Sequence, residues 1–381
     1  MVSLKTRPVR ALMATEFSPG ATGNGLAEAL RRIGWDVAEV NHRDYALVGK
    51  SLAERIGARA MHRLLSASYN AQILALAEQV NAQVMVAVKG SFITSETLAK
   101  LRAAGVRCVN YYPDFHFDHP GITPAALAQY DLIATTKRFQ VDYLTAAHGA
   151  ERTAFVQHAY NADVHRRHYS GDIPYRWDIS MIGNPSPQKA QYMIAVAQAF
   201  PDCRIAVIGN GWAKYAAGTA LAPYVVGHPL IGDFFARAIE ESRINIAVHM
   251  GPRTPGGWED AVSTRTFEIP AAGGFMLHID NEEVRTLYEP GREIDVFTTP
   301  ERLCERIGYY LDNEDRRLEI ARAGTARCTP AYSLDARATA LAACLAERGI
   351  VAPEHWGEVP VPPGSGSGAG AGTVDDGKLP C

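Results

Sequence analysis

The sequence predicts an α/β protein made of two doubly wound parallel sheets, and three observations carry the prediction. Short apolar runs alternate with helix-length amphipathic segments, and the series occurs twice along the chain. A polar and aromatic stretch, NADVHRRHYSGDIPYRW over 161–177, separates the two series. The 381 residues, 47% hydrophobic and 21% charged, suffice for two cores at about 150 residues per domain. The expected organisation is a first domain over 1–160, a linker over 161–177, a second domain over 178–350 and a tail over 351–381.

In the first series Val9–Ala14 reads as a buried strand. It is followed by the glycine-rich loop TEFSPGATGNG, a helix over Leu26–Ile33 stopped by Gly34, and a strand over Asp36–Val40. The pattern returns with the strand Gln83–Val88, the helix Ser95–Ala104 and the strand Val106–Tyr112. It closes with Asp131–Thr135, a helix from Lys137 to Ala147 and a strand over Thr153–Gln157. The second series begins with the strand DISMIG, the helix Lys189–Phe200, the strand CRIAVIG, the helix Asp233–Glu241 and the strand RINIAVH. A short helix near Arg265, the strand GFMLHI, a strand over Glu293–Phe297 and helices over 300–311, 314–326 and 332–347 follow. Strands alternating with helices of ten or more residues form βαβ units and hence parallel sheets. The last stretch, VPVPPGSGSGAGAGTVDD, has linker chemistry and forms no core.

Composition excludes several classes of function. With 38 basic against 41 acidic side chains, the net charge of −3 gives no footprint for nucleic acid. Tyr215–Gly232, the longest charge-free stretch, holds Pro223, Pro229 and three glycines and so does not read as a membrane span. The first residues lack an apolar core and a cleavage site. The six cysteines are scattered, without a CxxC or any close pair, which excludes a zinc cage and a disulfide framework. The expectation is a cytoplasmic protein.

Two such domains turn the loops after their strands toward one cleft, where doubly wound sheets bind ligands. Three segments there carry chemistry. In GATGNG, the residues Gly23, Asn24 and Gly25 offer backbone amides to a phosphate or sugar, or simply form a tight turn into a helix. The spacing is not GxGxxG, and no ribose-binding acid follows on the second strand, which argues against a dinucleotide site. Gly183, Asn184 and Lys189 follow a strand and open a helix, placing an ammonium and amides about one point suited to a diphosphate; otherwise Lys189 is merely solvated. In GPRTPGGWEDAVSTRTFEIPAAGGFML, the residues Asp260, Thr264, Arg265 and Glu268 precede Gly273 and Gly274. Glu268 is suited to accept hydrogen bonds from the vicinal hydroxyls of a ribose. Arg265, one turn earlier, is a phosphate contact or the partner of Glu268, and a plain Arg265–Glu268 ion pair fixing a helix is the alternative. Arg253 is a further candidate cation. In the first half, YYPDFHFDHP offers Asp114, His116, Asp118 and His119 as bases, with aromatic neighbours that stack on a sugar or pack under the loop. The other histidine group, His158, His165 and His168, is read as structural.

The run RTFEIPAAGGFMLHIDNEEVRTLYEPGREIDVFTTPERLCERIGYYLDNEDRRLEIARAG resembles the C-terminal domain of group 1 glycosyltransferases, especially the subgroup named for the spore maturation protein CgeB. The matching residues are Arg265, Phe267, Glu268, Ala271, Gly273 and Gly274, then Glu289-Pro290-Gly291-Arg292-Glu293, Tyr309-Tyr310-Leu311 and Arg316 to Gly324. The likeness covers roughly 178–345 and thins in the first half. It implies a GT-B fold, two Rossmann-like domains with the nucleotide-sugar donor held by the second, and sugar transfer without a bound metal or other cofactor. The Glu-x7-Glu motif of retaining relatives falls on Asp260 and Glu268, so its first glutamate is replaced. Their Arg-x4-Lys pair falls on Asn184 and Lys189, so its arginine is missing. Charge on the leaving diphosphate then falls to Lys189, Arg265 and backbone amides.

The resemblance thus implies a metal-independent glycosyltransferase of glycan biosynthesis, with Lys189, Asp114 and His116 as candidate catalytic groups. Its acceptor is a glycan, a lipid or a protein, compatible with peripheral membrane contact. Its rivals are a nucleotide-sugar epimerase or hydrolase on the same scaffold, and a catalytically degenerate protein that binds sugar nucleotides. A dehydrogenase fits least.

Overall fold

In the computed structural model of the chain, residues 8–45, 52–119, 121–249 and 258–352 are described, leaving aside the side chains of 52–60, 62 and 63. Arg253 and the tail beyond 352 lie outside them. The chain divides into two compact units. One comprises the residues up to Phe17, Leu26–Val156 and the chain from Ala338 on; the other comprises Ser18–Gly25 and Gln157–Arg337.

The first unit is built on six parallel strands: β1 (Arg10–Thr15), β2 (Asp36–Asn41), β3 (Val84–Val88), β4 (Arg107–Tyr112), β5 (Leu132–Thr135) and β6 (Thr153–Phe155). Their order is β2-β1-β3-β4-β5-β6. All of VMVAV in β3 is buried, as befits a parallel strand covered on both faces. Leu12, Met85, Leu98, Tyr130 and Ile133 are among its core residues.

The second unit repeats the plan with β7 (Trp177–Ile182), β8 (Ile205–Ile208), β9 (Val225–Val226), β10 (Ser242–Ala247), β11 (Met276–Ile279) and β12 (Asp295–Phe297). The order is β12-β11-β10-β7-β8-β9, again all parallel. Alternate residues of each strand enter opposite layers: Val207 joins Ile179, Ile244 and Leu277 on one side, while Ala206 and Ile208 join Ala247 and Met276 on the other. The chain winds outward from β7 through β8 to β9 and then from β10 through β11 to β12. The switch point of a doubly wound sheet therefore lies between β7 and β10.

Three local features differ from the sequence expectation. The first helix begins at Thr22, so Gly23, Asn24 and Gly25 form its first turn and not a glycine-rich loop. The turn closes earlier, with Ala21 N donating to Ser18 O at 2.9 Å, and the helical bond from Gly25 N to Ala21 O is 3.2 Å long. A 28-residue helix, Leu52–Gln79, fills a stretch where no element was expected. Short helices at Trp212–Ala216 and Glu282–Leu287 and the strand β9 were also not anticipated. Among the described residues no helix is long and apolar enough to cross a membrane.

Candidate functional site

At the carboxyl end of β7 the chain passes through Gly183 into Asn184-Pro185-Ser186 and the helix Pro187–Ala199. Ser186 caps that helix, its hydroxyl accepting from Lys189 N at 3.2 Å, while Pro187 takes the first helical position, where no amide is needed. Gly183 is held on both sides. Its N–H donates to Ile208 O at 2.8 Å, and its carbonyl accepts from the Trp212 indole at 2.8 Å. Gly209, at φ +151, lets β8 come so close that a Cβ there would sit 2.5 Å from the Gly183 carbonyl oxygen. The backbone at this point is thus rigid and bare.

Two cations converge on it. A Cβ built on Gly183 would lie 4.0 Å from Lys189 Nζ and 4.0 Å from Arg265 Nε. Lys189 Nζ donates to the Asn184 carbonyl at 3.2 Å, which folds its stem over the loop. Arg265 Nε donates to Ile182 O at 2.8 Å, so the first residue of the helix Arg265–Ala271 is tied to the last residue of β7. The Arg265 guanidinium also lies 4.3 Å from the centre of the Phe235 ring.

Arg265 Nη1 meets Glu268 Oε2, as expected of the i, i+3 pair, and reaches Thr264 Oγ1 at 3.4 Å. Glu268 is buried, at 7% exposure. Burial alone would push its carboxyl up, but the Arg265 charge, His165 and the hydrogen bonds from Arg265 and Thr264 outweigh it and hold the group below the usual carboxylate range. Its other oxygen, Oε1, faces His165 Nε2 at 3.5 Å. Sequence reading took His165 as a structural linker residue; the structure brings it to the carboxylate.

A second cluster was not foreseen. His278 on β11 donates from Nδ1 to Ile279 O at 2.6 Å, so its Nε2 is the acceptor of the neutral ring. That nitrogen lies 2.8 Å from His249 Nε2 and 3.0 Å from Thr266 Oγ1. Burial pushes His278 down to about 4, with the Ile279 hydrogen bond and Asp280 opposing. Thr266 belongs to the same helix as Arg265 and Glu268, so this dry network anchors that helix on β11. Neighbouring apolar runs in the sequence pointed to strands, and nothing in their spacing signalled a histidine pair.

The remaining candidates separate. Asp260 is half-buried and precedes the helix. Gly273 does not join the site: it terminates the helix at φ +82, its N–H donating to Pro270 O at 3.0 Å, at the amino end of β11, whereas Ile182 ends β7. A Cβ on Gly273 would sit 2.8 Å from Arg167 Cγ, and one on Gly274 would sit 2.5 Å from Ile239 Cγ2, so both glycines serve packing. Gly25 likewise serves packing, because a Cβ there would meet Leu334 Cδ1 at 2.5 Å and Asn161 Nδ2 at 2.8 Å.

In the first unit, Asp114 follows β4 and its carboxylate lies 2.5 Å from Lys89 Nζ and 2.9 Å from His119 Nε2. Gln140 Nε2 fixes the loop by donating to the carbonyls of Asp114 and Phe115, at 2.9 and 3.0 Å. His119, and not His116, presents a ring nitrogen to Asp114; His116 stacks on His119 with centroids 4.5 Å apart. Burial holds His119 below the ordinary histidine value, and Asp114 opposes this.

This fold and this end of the second sheet place the molecule in a recognisable structural class. The chain superposes on sucrose-phosphate synthase from Thermosynechococcus elongatus with a TM-score of 0.62 at 12% identity, over 89% of this chain and 98% of that one. It superposes on a glycosyltransferase from Rickettsia africae with a TM-score of 0.62 at 11% identity, over 90% and 98%. For HepE from Anabaena in complex with UDP-glucose, the TM-score is 0.60 at 14% identity, over 89% and 99%. The fold is therefore GT-B, with its two six-stranded parallel sheets. More particularly, residues 188–343 match the family model described as glycosyl transferase-like. No curated protein matches the chain by sequence.

Proposed function

We propose that the protein is a glycosyltransferase that binds a nucleotide sugar, UDP-linked in the first instance, at the switch point of the second sheet and transfers the sugar without a metal. The observation that carries the reading is the ionised, buried Glu268 paired with Arg265 at the end of β7, beside Gly183 and Lys189. A buried carboxylate held in its charged form is an acceptor for two vicinal ribose hydroxyls. In this reading Lys189 and Arg265, which converge on Gly183, take the diphosphate that continues from that ribose. As the glycosidic bond breaks, negative charge grows on the diphosphate, and fixed cations stabilise it with little reorganisation.

The first unit supplies the base of the reading. Asp114, ion-paired with Lys89 and facing His119, is the candidate base for an acceptor hydroxyl. The CgeB-like pattern of Arg265, Phe267, Glu268, Gly273 and Gly274, the UDP complexes of HepE and the matched family model all favour this reading over a dehydrogenase. In the same reading the protein acts in the cytoplasm on a glycan, lipid-linked or protein acceptor.

The test is a thermal-shift screen of wild type and Glu268→Ala against UDP-, GDP-, dTDP-, ADP- and CMP-sugars. A ligand at 100 times its dissociation constant adds about 2.7 kcal/mol of stability. One nucleotide class should stabilise wild type and not the variant. If no sugar nucleotide stabilises wild type, the reading fails; donor breakdown or epimerisation with no acceptor present moves it to a hydrolase or epimerase.

A further inference from the structure

Glu268 meets Arg265, the Thr264 hydroxyl and His165, and these partners differ in kind. Oε2 meets the permanent charge of Arg265, whereas Oε1 faces Nε2 of His165 at 3.5 Å. The backbone decides which His165 nitrogen carries the proton. Asn161 N–H donates to His165 Nδ1 at 3.0 Å, so Nδ1 is an acceptor and the neutral ring bears its hydrogen on Nε2, toward Glu268. Burial holds this histidine below its ordinary value, with Glu268 opposing, which keeps the ring neutral. The ring is also gripped from its side: it meets Phe235 edge-on, with centroids 5.2 Å apart at 75°, and the Arg265 guanidinium rests over the same Phe235 ring. Asn161 is in turn held where Gly25 leaves room for it, and its side-chain oxygen accepts from Asp163 N at 2.9 Å.

We propose that His165 is a positioning residue that sets the plane of the Glu268 carboxylate, so that the site selects ribonucleotides over 2′-deoxyribonucleotides. The inference rests on the reading of Glu268 as the ribose carboxylate. Arg265 and the Thr264 hydroxyl hold the carboxylate from one side. An uncharged N–H facing Oε1 restrains its rotation about Cγ–Cδ further, without cancelling the negative charge that a hydroxyl needs as acceptor. A carboxylate so held discriminates, because a sugar lacking the hydroxyl forfeits a hydrogen bond to a buried, charged acceptor.

The experiment is calorimetric titration of the full chain with the pairs UDP and 2′-deoxy-UDP, GDP and 2′-deoxy-GDP, and ADP and 2′-deoxy-ADP. Wild type, His165→Asn, His165→Gln and Glu268→Gln are compared. Asparagine keeps an acceptor for the Asn161 amide but removes the donor facing Glu268; glutamine keeps a donor at the Nε2 position. Wild type should favour the ribonucleotide of one pair by about tenfold or more, a discrimination expected from one hydrogen bond to a charged group. His165→Asn should reduce this to within about threefold while binding the deoxynucleotide as wild type does, matching Glu268→Gln, and His165→Gln should recover it. The inference is overturned if His165→Asn discriminates like wild type, or weakens both members of the pair equally. If wild type binds none of the nucleotides, the donor reading itself falls and the inference with it.

Discussion

Lowering the pH from 7 to 4.5 should weaken the second unit through His278, and the size of the effect can be worked out. The ring is buried with its Nδ1 hydrogen bonded to Ile279 O, and its Nε2 is closed in by His249 and Thr266. Burial lowers its pKa from 6.5 to about 4. Between those values the unfolded chain binds a proton that the native state refuses, so native stability falls as pH falls through the window. For one such group the loss between pH 7 and pH 4.5 is about 2 kcal/mol. Other groups titrate there too, and a His278→Asn variant cancels them: it keeps a donor for the Ile279 carbonyl and has no proton to gain. Urea unfolding followed by tryptophan fluorescence, with Trp212 fully buried in this unit, gives both stabilities. The gap between wild type and variant should shift by about 2 kcal/mol toward the variant as the pH is lowered. A gap that stays constant would show that His278 titrates alike in the folded and unfolded chains, and the dry network would be refuted.

Other consequences are more local. Arg265→Lys cannot bridge Ile182 O and Glu268 with one ammonium, so nucleotide affinity should fall by about tenfold or more in a calorimetric titration. Gly209→Ala places a methyl 2.5 Å from the Gly183 carbonyl oxygen at a φ of +151. It should destabilise by about 1–3 kcal/mol from the backbone alone, read as a lower Tm, and weaken nucleotide binding as Gly183 shifts. Asp114→Asn should leave nucleotide affinity unchanged while lowering the rate of sugar transfer by about a hundredfold, measured by product formation.

The strands were legible because buried parallel strands are unbroken apolar runs, as VMVAV and IAVI are, and this needs no partner to be recognised. The start of the first helix was not, since Gly23 and Gly25 look like a loop until Leu334 and Asn161 are seen to require a small residue at Gly25. The helix Leu52–Gln79 lacks a sustained apolar stripe, with Ser66, Ser68 and Asn70 in its middle, and Asn70 works instead by donating to Phe92 O at 2.7 Å. At the site, the Arg265–Glu268 pair could be read from its spacing, because i and i+3 share a helix face. His165 lies 103 positions from Glu268 in the numbering, and only the fold of the 161–177 stretch brings them together. Gly273 misled because a Gly-Gly after a helix serves equally as a ligand loop or as a helix stop.

The division of the chain has a bearing on protein engineering. Neither compact unit is one stretch of sequence: Ser18–Gly25 belongs with Gln157–Arg337, and the chain from Ala338 returns to the other unit. A chimera joined at a single crossover near residue 157 would therefore pair a grafted half with a foreign copy of Ser18–Gly25 and cut its own chain from Ala338 on off from the rest of the unit it belongs to. Donor preference in this protein should accordingly transfer only with both segments, Ser18–Gly25 and Gln157–Arg337, exchanged together, and single-junction hybrids should accumulate as insoluble protein.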